Sequence, residues 1–478
     1  MISRAQQLFR RKFVQDTIIL QISKIGVTVL GLAAWVIVPV RLGPHHYGLF
    51  ALAQSFLSIW MTFDLTGLNV GIPVLLSTAI GAKDERKIVD LLAVYLKVST
   101  IWALFTLIML ALIGPSLANL LYQESAPLTA SYGLSYPLLA GLQTIGNAQI
   151  GVFAAVLALS QLFDPIYNMF QSAFLSRRSM TQVAMMQNIN QFVLTISLVS
   201  AALISPTAEG QVMGRLVYSV VTLAVIAVVY QRTRVYQSVR YPSLRAIFSR
   251  ALTISYRPYW RYGLSTAVDK NISNLYVHVP LQMVGILAGP AAASYIQLGL
   301  RGIQRTGFFT SAIYENMQAV VPQSVGRNDY ARLWHNFLRV LGVLTVAGLA
   351  FYGLLILLAP LLLVPIFGEE WAPILPILPA FTIYGLTITI GGIFGPLYRA
   401  FNLMREALLA KTAAFAVMLP AGLWLIPQLG TLGGVWMING LLVISVGLTM
   451  VFTLPVLRQY ALKENAAGTT APETSATS

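Results

Sequence analysis

Runs of about twenty predominantly apolar residues recur along this chain, each bounded by a short polar break. None shows the period-two alternation over about ten residues that marks a membrane-spanning strand. The pattern therefore predicts helices. Twelve are expected, at 17–40, 47–66 (continuing as helix toward 80), 90–113, 148–174, 181–204, 212–231, 263–288, 291–321, 335–359, 374–398, 407–427 and 432–455. The fold class is an all-α polytopic membrane protein.

Composition agrees: 57% of the residues are hydrophobic, 10% are charged, and the mean hydropathy is +0.73. A soluble domain carries roughly 25% charged residues. The net charge of +15 would suit a nucleic-acid binder, but the basic residues sit in alternate loops rather than on one face or arm. Nucleic acid is not an expected partner. Arg4, Arg10, Arg11 and Lys12 precede the first span, Lys83, Arg86 and Lys87 follow the second, and Arg177 and Arg178 follow the fourth. The stretch 231–262 holds seven more, and the loops after spans eight, ten and twelve add Arg327, Arg332, Arg399, Arg405, Lys411, Arg458 and Lys463. The intervening loops hold Arg41 alone. This bias predicts that both termini are cytoplasmic. The basic start, "MISRAQQLFRRKFVQD", reads as a retained tail rather than a cleaved leader. Cysteine is absent, and the histidine pair in "GPHHYG" reads as part of a tight turn, so neither a metal nor a cofactor is expected.

The chain divides into an N-terminal six-helix lobe (1–231), a basic linker (232–262), a C-terminal six-helix lobe (263–460) and a disordered tail (461–478). The linker mixes arginines with aromatics; an interfacial helix and a solvated connector are both open readings. The two lobes look like repeats. "SKIGVTVLGLAAWVIVPVRLGP" and "DKNISNLYVHVPLQMVGILAGP" each place a lysine second and Gly-Pro last. "GPSLANLLYQE" aligns with "APLLLVPIFGE", and "GAKDERK" with "GRNDYAR", both at an offset of 245, while "DPIYNMF" resembles "GPLYRAF". With six spans each, both halves enter the membrane in the same sense and form parallel repeats.

Several charges fall inside the spans. Lys24 and Lys270 lie about 10–12 Å from their cytoplasmic ends, counting about 1.5 Å per residue. Arg301 and Arg305 are four apart on one face of the eighth span, with Arg301 near the midplane. Asp64 and Asp269 share the depth of the lysines, and Asn271, Asn274, His278 and Gln282 add polarity to the seventh span. A charge facing lipid costs at least about 2.5–3.5 kcal/mol near the centre. The four cations are therefore expected to face a wet space between the lobes, where they would attract an anion. For any one of them, a packing ion pair or snorkelling to the interface remains an alternative.

The opening tail, the first span with Lys24 and the following "LGPHHYGLFALAQSF" resemble bacterial oligosaccharide flippases of the polysaccharide transport (Wzx-type) family. "GILAGPAAASYIQLGLRGIQ" and "VPQSVGRND" are similar to that family's seventh and eighth helices. The family belongs to the multidrug/oligosaccharidyl-lipid/polysaccharide (MOP) superfamily. The resemblance, over about residues 8–460, implies two six-helix lobes around a central cavity in the bacterial cytoplasmic membrane. It implies alternating-access flipping of an undecaprenyl-diphosphate-linked oligosaccharide for surface polysaccharide synthesis. On that reading Lys24, Lys270, Arg301 and Arg305 bind the diphosphate or acidic sugars, and Asp64 and Asp269 orient them or couple an ion. Expected partners are the lipid-linked oligosaccharide, membrane lipids, and a polysaccharide polymerase with its chain-length machinery.

The chain ends at twelve spans, which disfavours the lipid II flippases with their two additional helices. Residues 17–40 contain no Asp or Glu, which disfavours a cation-exchanging drug exporter of the same superfamily. A membrane glycan polymerase or ligase would need acid–base groups in the external loops, which carry little besides Arg41, His45 and His46. An assembly scaffold would leave the deep cations without a purpose. The expected protein is thus a transporter and not an enzyme.

Overall fold

The computed structural model describes residues 12–63, 84–122, 148–177, 179–236, 242–307, 328–401 and 403–469, with isolated positions at 72–80 and 310–325. Among the described residues all regular structure is helical. The helices are α1 (Lys12–Met61), α2 (Glu85–Leu121), α3 (Ala148–Ser160), α4 (Asp164–Ser176), α5 (Met180–Ile204), α6 (Ala208–Tyr236), α7 (Leu244–Thr253), α8 (Trp260–Thr306), α9 (Tyr330–Phe367), α10 (Leu378–Gly391), α11 (Phe394–Ala400), α12 (Met404–Leu429) and α13 (Thr431–Thr469). Among the described residues, nine helical stretches are long and apolar enough to cross a membrane, and α3 with α4, bent by 40°, makes a tenth. Two of the nine are kinked at a glycine. Gly43 divides α1 and Gly289 divides α8. Counted at those kinks, the described helices account for the twelve apolar segments read from the sequence.

The expected loop at "GPHHYG" is a one-residue turn. Gly43 adopts φ 68°, ψ 170°, and the next helix begins at once with Pro44. Gly289 repeats this with φ 89°, ψ 171°, followed by Pro290. This backbone region is essentially closed to side chains, and proline is preorganised for the first helical position. The repeat extends further. Asp84 and Asp329 precede α2 and α9, and their amides donate to Ala79 O and Ser324 O, each at 3.0 Å. Pro115 and Pro360, expected near span ends, lie within α2 and α9. The two similar heptapeptides open short helices, α4 and α11, each just after a break in its span. Neither break follows from the hydropathy average, although Gln161 with Asp164-Pro165 marks the first and Gly391-Gly392 the second.

The chain forms two compact units, Met1–Leu298 and Gly299–Ser478. In the first, α1 packs along α5 and α3, and α2 along α3. Gly114 of α2 and Gly151 of α3 face each other so closely that a β-carbon on Gly151 would run into the Gly114 carbonyl. Small residues let membrane helices approach in this way. A buried cluster unites Leu91 and Tyr95 of α2, Phe170 and Phe174 of α4, Met186 of α5, Tyr230 of α6 and Ile247 of α7. The Phe170 and Tyr230 rings stack at 4.3 Å.

In the second unit, α9 and α10 pack against α13, and α12 runs along α13. A glycine again allows the approach: Gly422 of α12 lies on Met437 of α13. The stretch before α10, Glu369–Ile377, is a 3-10 helix with Pro373 and Pro376 inside it and Trp371 buried. The prolines withhold the amides that an α-helix would use there. Helix α13 runs on to Thr469, beyond the boundary read at 460. Glu464 anchors it by accepting from the amides of Tyr330 (2.6 Å) and Ala331 (2.9 Å), the first residues of α9.

Candidate functional site

A polar cluster lies deep within the first unit, where α4, α5 and α6 meet. Asp164 opens α4 immediately after the break at 161–163, twelve residues from the helix end at Ser176. Broken backbone at membrane depth is tolerated only where it is buried in protein or lines a cavity. Asn190 stands ten residues into α5, and Arg215 and Tyr218 stand seven and ten residues into α6. At about 1.5 Å per residue, Asp164 and Asn190 fall near the middle of their helical spans, and Arg215 about 10 Å in from the nearer end of α6.

The Tyr218 hydroxyl donates to Asn190 Oδ1 at 2.6 Å. The Arg215 guanidinium carbon sits 4.5 Å from the centre of the Tyr218 ring, a cation–π contact worth about 0.5–2 kcal/mol depending on solvation. The Asp164 carboxylate interacts electrostatically with Arg215, and with Tyr218 and Tyr167 around it. Arg215 and Asp164 are both partly buried. The cluster thus places a planar cation and a carboxylate in each other's field within the spans. A guanidinium of this kind fits a phosphate bidentately, and a carboxylate there can compete with such a ligand or hold a cation.

Sequence reasoning missed both charges, although each falls inside a predicted span. Asp164 enters the sequence reading only as the first residue of the "DPIYNMF" repeat. The criterion that selected Arg301, a charge where only apolar residues are cheap, would have found Asp164 and Arg215 as well.

The predicted residues distribute as follows. Lys24 is half-buried on α1, beside a hydrogen-bonded seam with α5. In that seam Ser23 Oγ donates to Ala184 O (3.2 Å), Asn188 Nδ2 donates to Ser23 Oγ (2.8 Å) and Thr195 Oγ1 donates to Leu30 O (3.1 Å). Asp269 and Lys270 lie on α8 before its kink, in the first unit, and Asp64 lies outside the described residues. Arg301 and Arg305 are half-buried after the kink, in the second unit, on the side of the helix away from Leu300 and Ile303, which pack inward. Between them Gln304 Nε2 donates to the Tyr384 hydroxyl of α10 at 3.4 Å.

The other polar groups of the seventh span largely serve packing. Gln282 Nε2 donates to Leu52 O at 2.8 Å, and the Tyr122 hydroxyl donates to Gln282 Oε1. Ser55 Oγ donates to His278 O at 3.2 Å. Gly48 lies against the Pro290 carbonyl and Gly285 against Leu52. These contacts lock the second half of α1 to the first half of α8. Among the described residues, no group of three or more His, Asp and Glu is arranged to hold a metal ion.

Neither a protein-family model nor a curated relative matches the chain in sequence. Solved structures do share its fold. The crystal structure of the eukaryotic MATE transporter AtDTX14 matches with a TM-score of 0.63 at 14% identity, covering 95% of this chain and 99% of that one. An inward-facing multidrug resistance MATE family transporter of the MOP superfamily matches at 0.60 and 14%, covering 95% and 96%. An outward-facing structure described in the same words matches at 0.60 and 16%, with the same coverage. At these identities the likeness is one of fold, and it extends over nearly the whole length of both chains.

Proposed function

We propose that this chain is a membrane transporter, and specifically a flippase for an undecaprenyl-diphosphate-linked oligosaccharide in the bacterial cytoplasmic membrane, with both termini cytoplasmic. One observation carries the reading: cations stand within apolar spans, with Arg215, Arg301, Arg305 and Lys24 each half-buried rather than turned fully outward. A lipid diphosphate is the anion that fits such positions. Its phosphates take charge-assisted hydrogen bonds from guanidinium and ammonium groups, while its polyprenyl chain stays in lipid. Lys270 joins the set by its place on α8. Asp164, with Asp269, would orient the cations or respond to the ligand's charge. The MATE-like fold supports transport rather than catalysis. Surface polysaccharide assembly supplies the polymerase and chain-length machinery as partners.

A second reading, export of drugs or metabolites, has its own support. Two of the structures that share the fold are described as multidrug resistance transporters, and Asp164 provides the carboxylate that a cationic drug requires. The two readings predict opposite sensitivities. A flippase loses function on Arg215→Ala or Arg301→Ala, whereas a cation exporter loses it on Asp164→Asn and keeps it without the arginines.

The deciding experiment reconstitutes the purified protein in liposomes with a short-chain polyprenyl-diphosphate sugar and measures leaflet distribution. The expected result is protein-dependent equilibration that Arg301→Ala abolishes. An unchanged distribution with and without protein rejects the flippase.

A further inference from the structure

Helix α7, in the connector between the spans of α6 and α8, is bound side-on to the first unit. Its amide end is capped by Ser243 Oγ, which accepts from Ala246 N at 3.1 Å. Ile247, Ala251 and Ile254 are buried against α2, α4 and α6. Arg250 forks onto Asp90 of α2, with Nε donating to Oδ1 at 2.5 Å and Nη2 to Oδ2 at 3.2 Å. Lys97, two turns further along α2, donates its ammonium to Ile254 O (2.9 Å) and Leu252 O (3.3 Å), the terminal carbonyls of α7.

These bonds fix the depth of α7. The outward apolar face of α2 begins at Ile101 and runs through Ile108 and Leu112 to Leu121. That is about 30 Å at about 1.5 Å per residue, one hydrocarbon thickness. Lys97 lies a single turn before that band, so the C-terminal end of α7 is held at headgroup level. At that level Leu252 is 83% exposed and Phe248, one turn earlier, is 45% exposed. Around the helix these two flank one side of the buried face. Ser249 and Thr253 occupy the polar side, and Arg245 lies between the two flanks. Arg245 and, just beyond the helix, Arg257 are exposed, and residues 242–262 contain no Asp or Glu.

We propose that α7 is an in-plane interfacial helix that docks on anionic lipid. Phe248 and Leu252 enter the acyl boundary of the adjacent leaflet, the one that the Lys and Arg bias assigns to the cytoplasm. Arg245 and Arg257 hold anionic headgroup phosphates there. Apolar side chains at this depth are covered by acyl chains rather than water, and a basic, acid-free segment is attracted to an anionic surface. The proposal depends on the depth of α7 and on its charge; it is independent of what the protein transports.

The absence of native cysteine makes the test direct. Leu252→Cys and, as the water-facing control, Thr253→Cys are each labelled with a single fluorophore in the full-length protein. Both are reconstituted in vesicles of phosphatidylcholine containing about 20 mol% of the anionic lipid phosphatidylglycerol. Bromine is carried on the acyl chains of one lipid or the other at equal mole fraction. The label at 252 is expected to be quenched by brominated chains at least about twofold more than the label at 253, and more by brominated phosphatidylglycerol than by brominated phosphatidylcholine. Arg245→Gln with Arg257→Gln should remove the headgroup preference and leave the chain quenching. Equal quenching at 252 and 253, or quenching at 252 by aqueous iodide instead, overturns the insertion. Equal quenching by the two headgroups overturns the anionic-lipid contact.

Discussion

Arg215 and Tyr218 form a stacked pair within α6, the guanidinium 4.5 Å from the ring centre, while the tyrosine hydroxyl reaches across to Asn190 of α5 at 2.6 Å. One residue therefore positions the charge and ties two spans together. Tyr218→Phe keeps the ring beneath Arg215 and removes only the hydroxyl. It is expected to cost about 0.5–1.5 kcal/mol, the net worth of a neutral hydrogen bond, seen as a Tm lower by a few degrees in detergent with transport retained. Arg215→Lys keeps the charge but not the planar fork, and its transport is expected to fall between that of the wild type and Arg215→Ala.

Arg301→Ala and Lys270→Ala should insert at wild-type levels, since both substitutions relieve the cost of a charge in a span. Surface polysaccharide is expected to fall by about tenfold or more, corresponding to loss of one charged hydrogen bond of about 1.5–3 kcal/mol. Immunoblotting of membranes and staining of the polymer at matched protein levels check both halves of this statement. Normal polymer from both variants removes these residues from the site.

The one-residue turns make a conformational prediction. Gly43→Ala and Gly289→Ala each force a side chain into the backbone region occupied at φ 68° and φ 89°, at a cost of about 1–3 kcal/mol apiece. Each should lower the melting temperature, and the double variant should lower it about additively. Gly48→Leu should be worse than either, because it collides with the Pro290 backbone rather than with a movable side chain. Loss of the monodisperse peak in detergent chromatography would register this.

Glu464→Ala removes the acceptor shared by the Tyr330 and Ala331 amides. Loss of such a cap costs about 0.5–2 kcal/mol. Faster hydrogen exchange over the first turn of α9, with the rest of that helix unchanged, is the expected signature. Uniform exchange across α9 would mean that the cap does not hold the helix end.

The architecture was largely legible in the sequence. Hydropathy locates the spans because lipid leaves the backbone no partner but its own helix, and Gly-Pro at 43–44 and 289–290 marked the kinks and the duplication. The breaks at 161–163 and 392–393 fall inside windows read as single spans, because averaged hydropathy passes over the local signals there: Gln161 ahead of Asp164-Pro165, and Gly391-Gly392 ahead of Gly395-Pro396. The 3-10 stretch at 369–377 had a visible cause in Pro373 and Pro376, yet hydropathy averages it into a span. Among charged residues, depth counting selected Lys24, Arg301 and Arg305, each of which is half-buried. It could not separate them from polar groups that serve packing: Gln282 and His278, equally deep, are engaged by Leu52, Tyr122 and Ser55. That distinction depends on which helix lies opposite, which no one-dimensional pattern contains.

The turn at Gly43 leaves no slack between the rods it joins. A pair of probes, one at Val40 and one a turn or two beyond Pro44, should therefore report a constant separation throughout the working cycle. Such a pair would serve as an internal ruler against which any larger displacement elsewhere in the molecule can be measured.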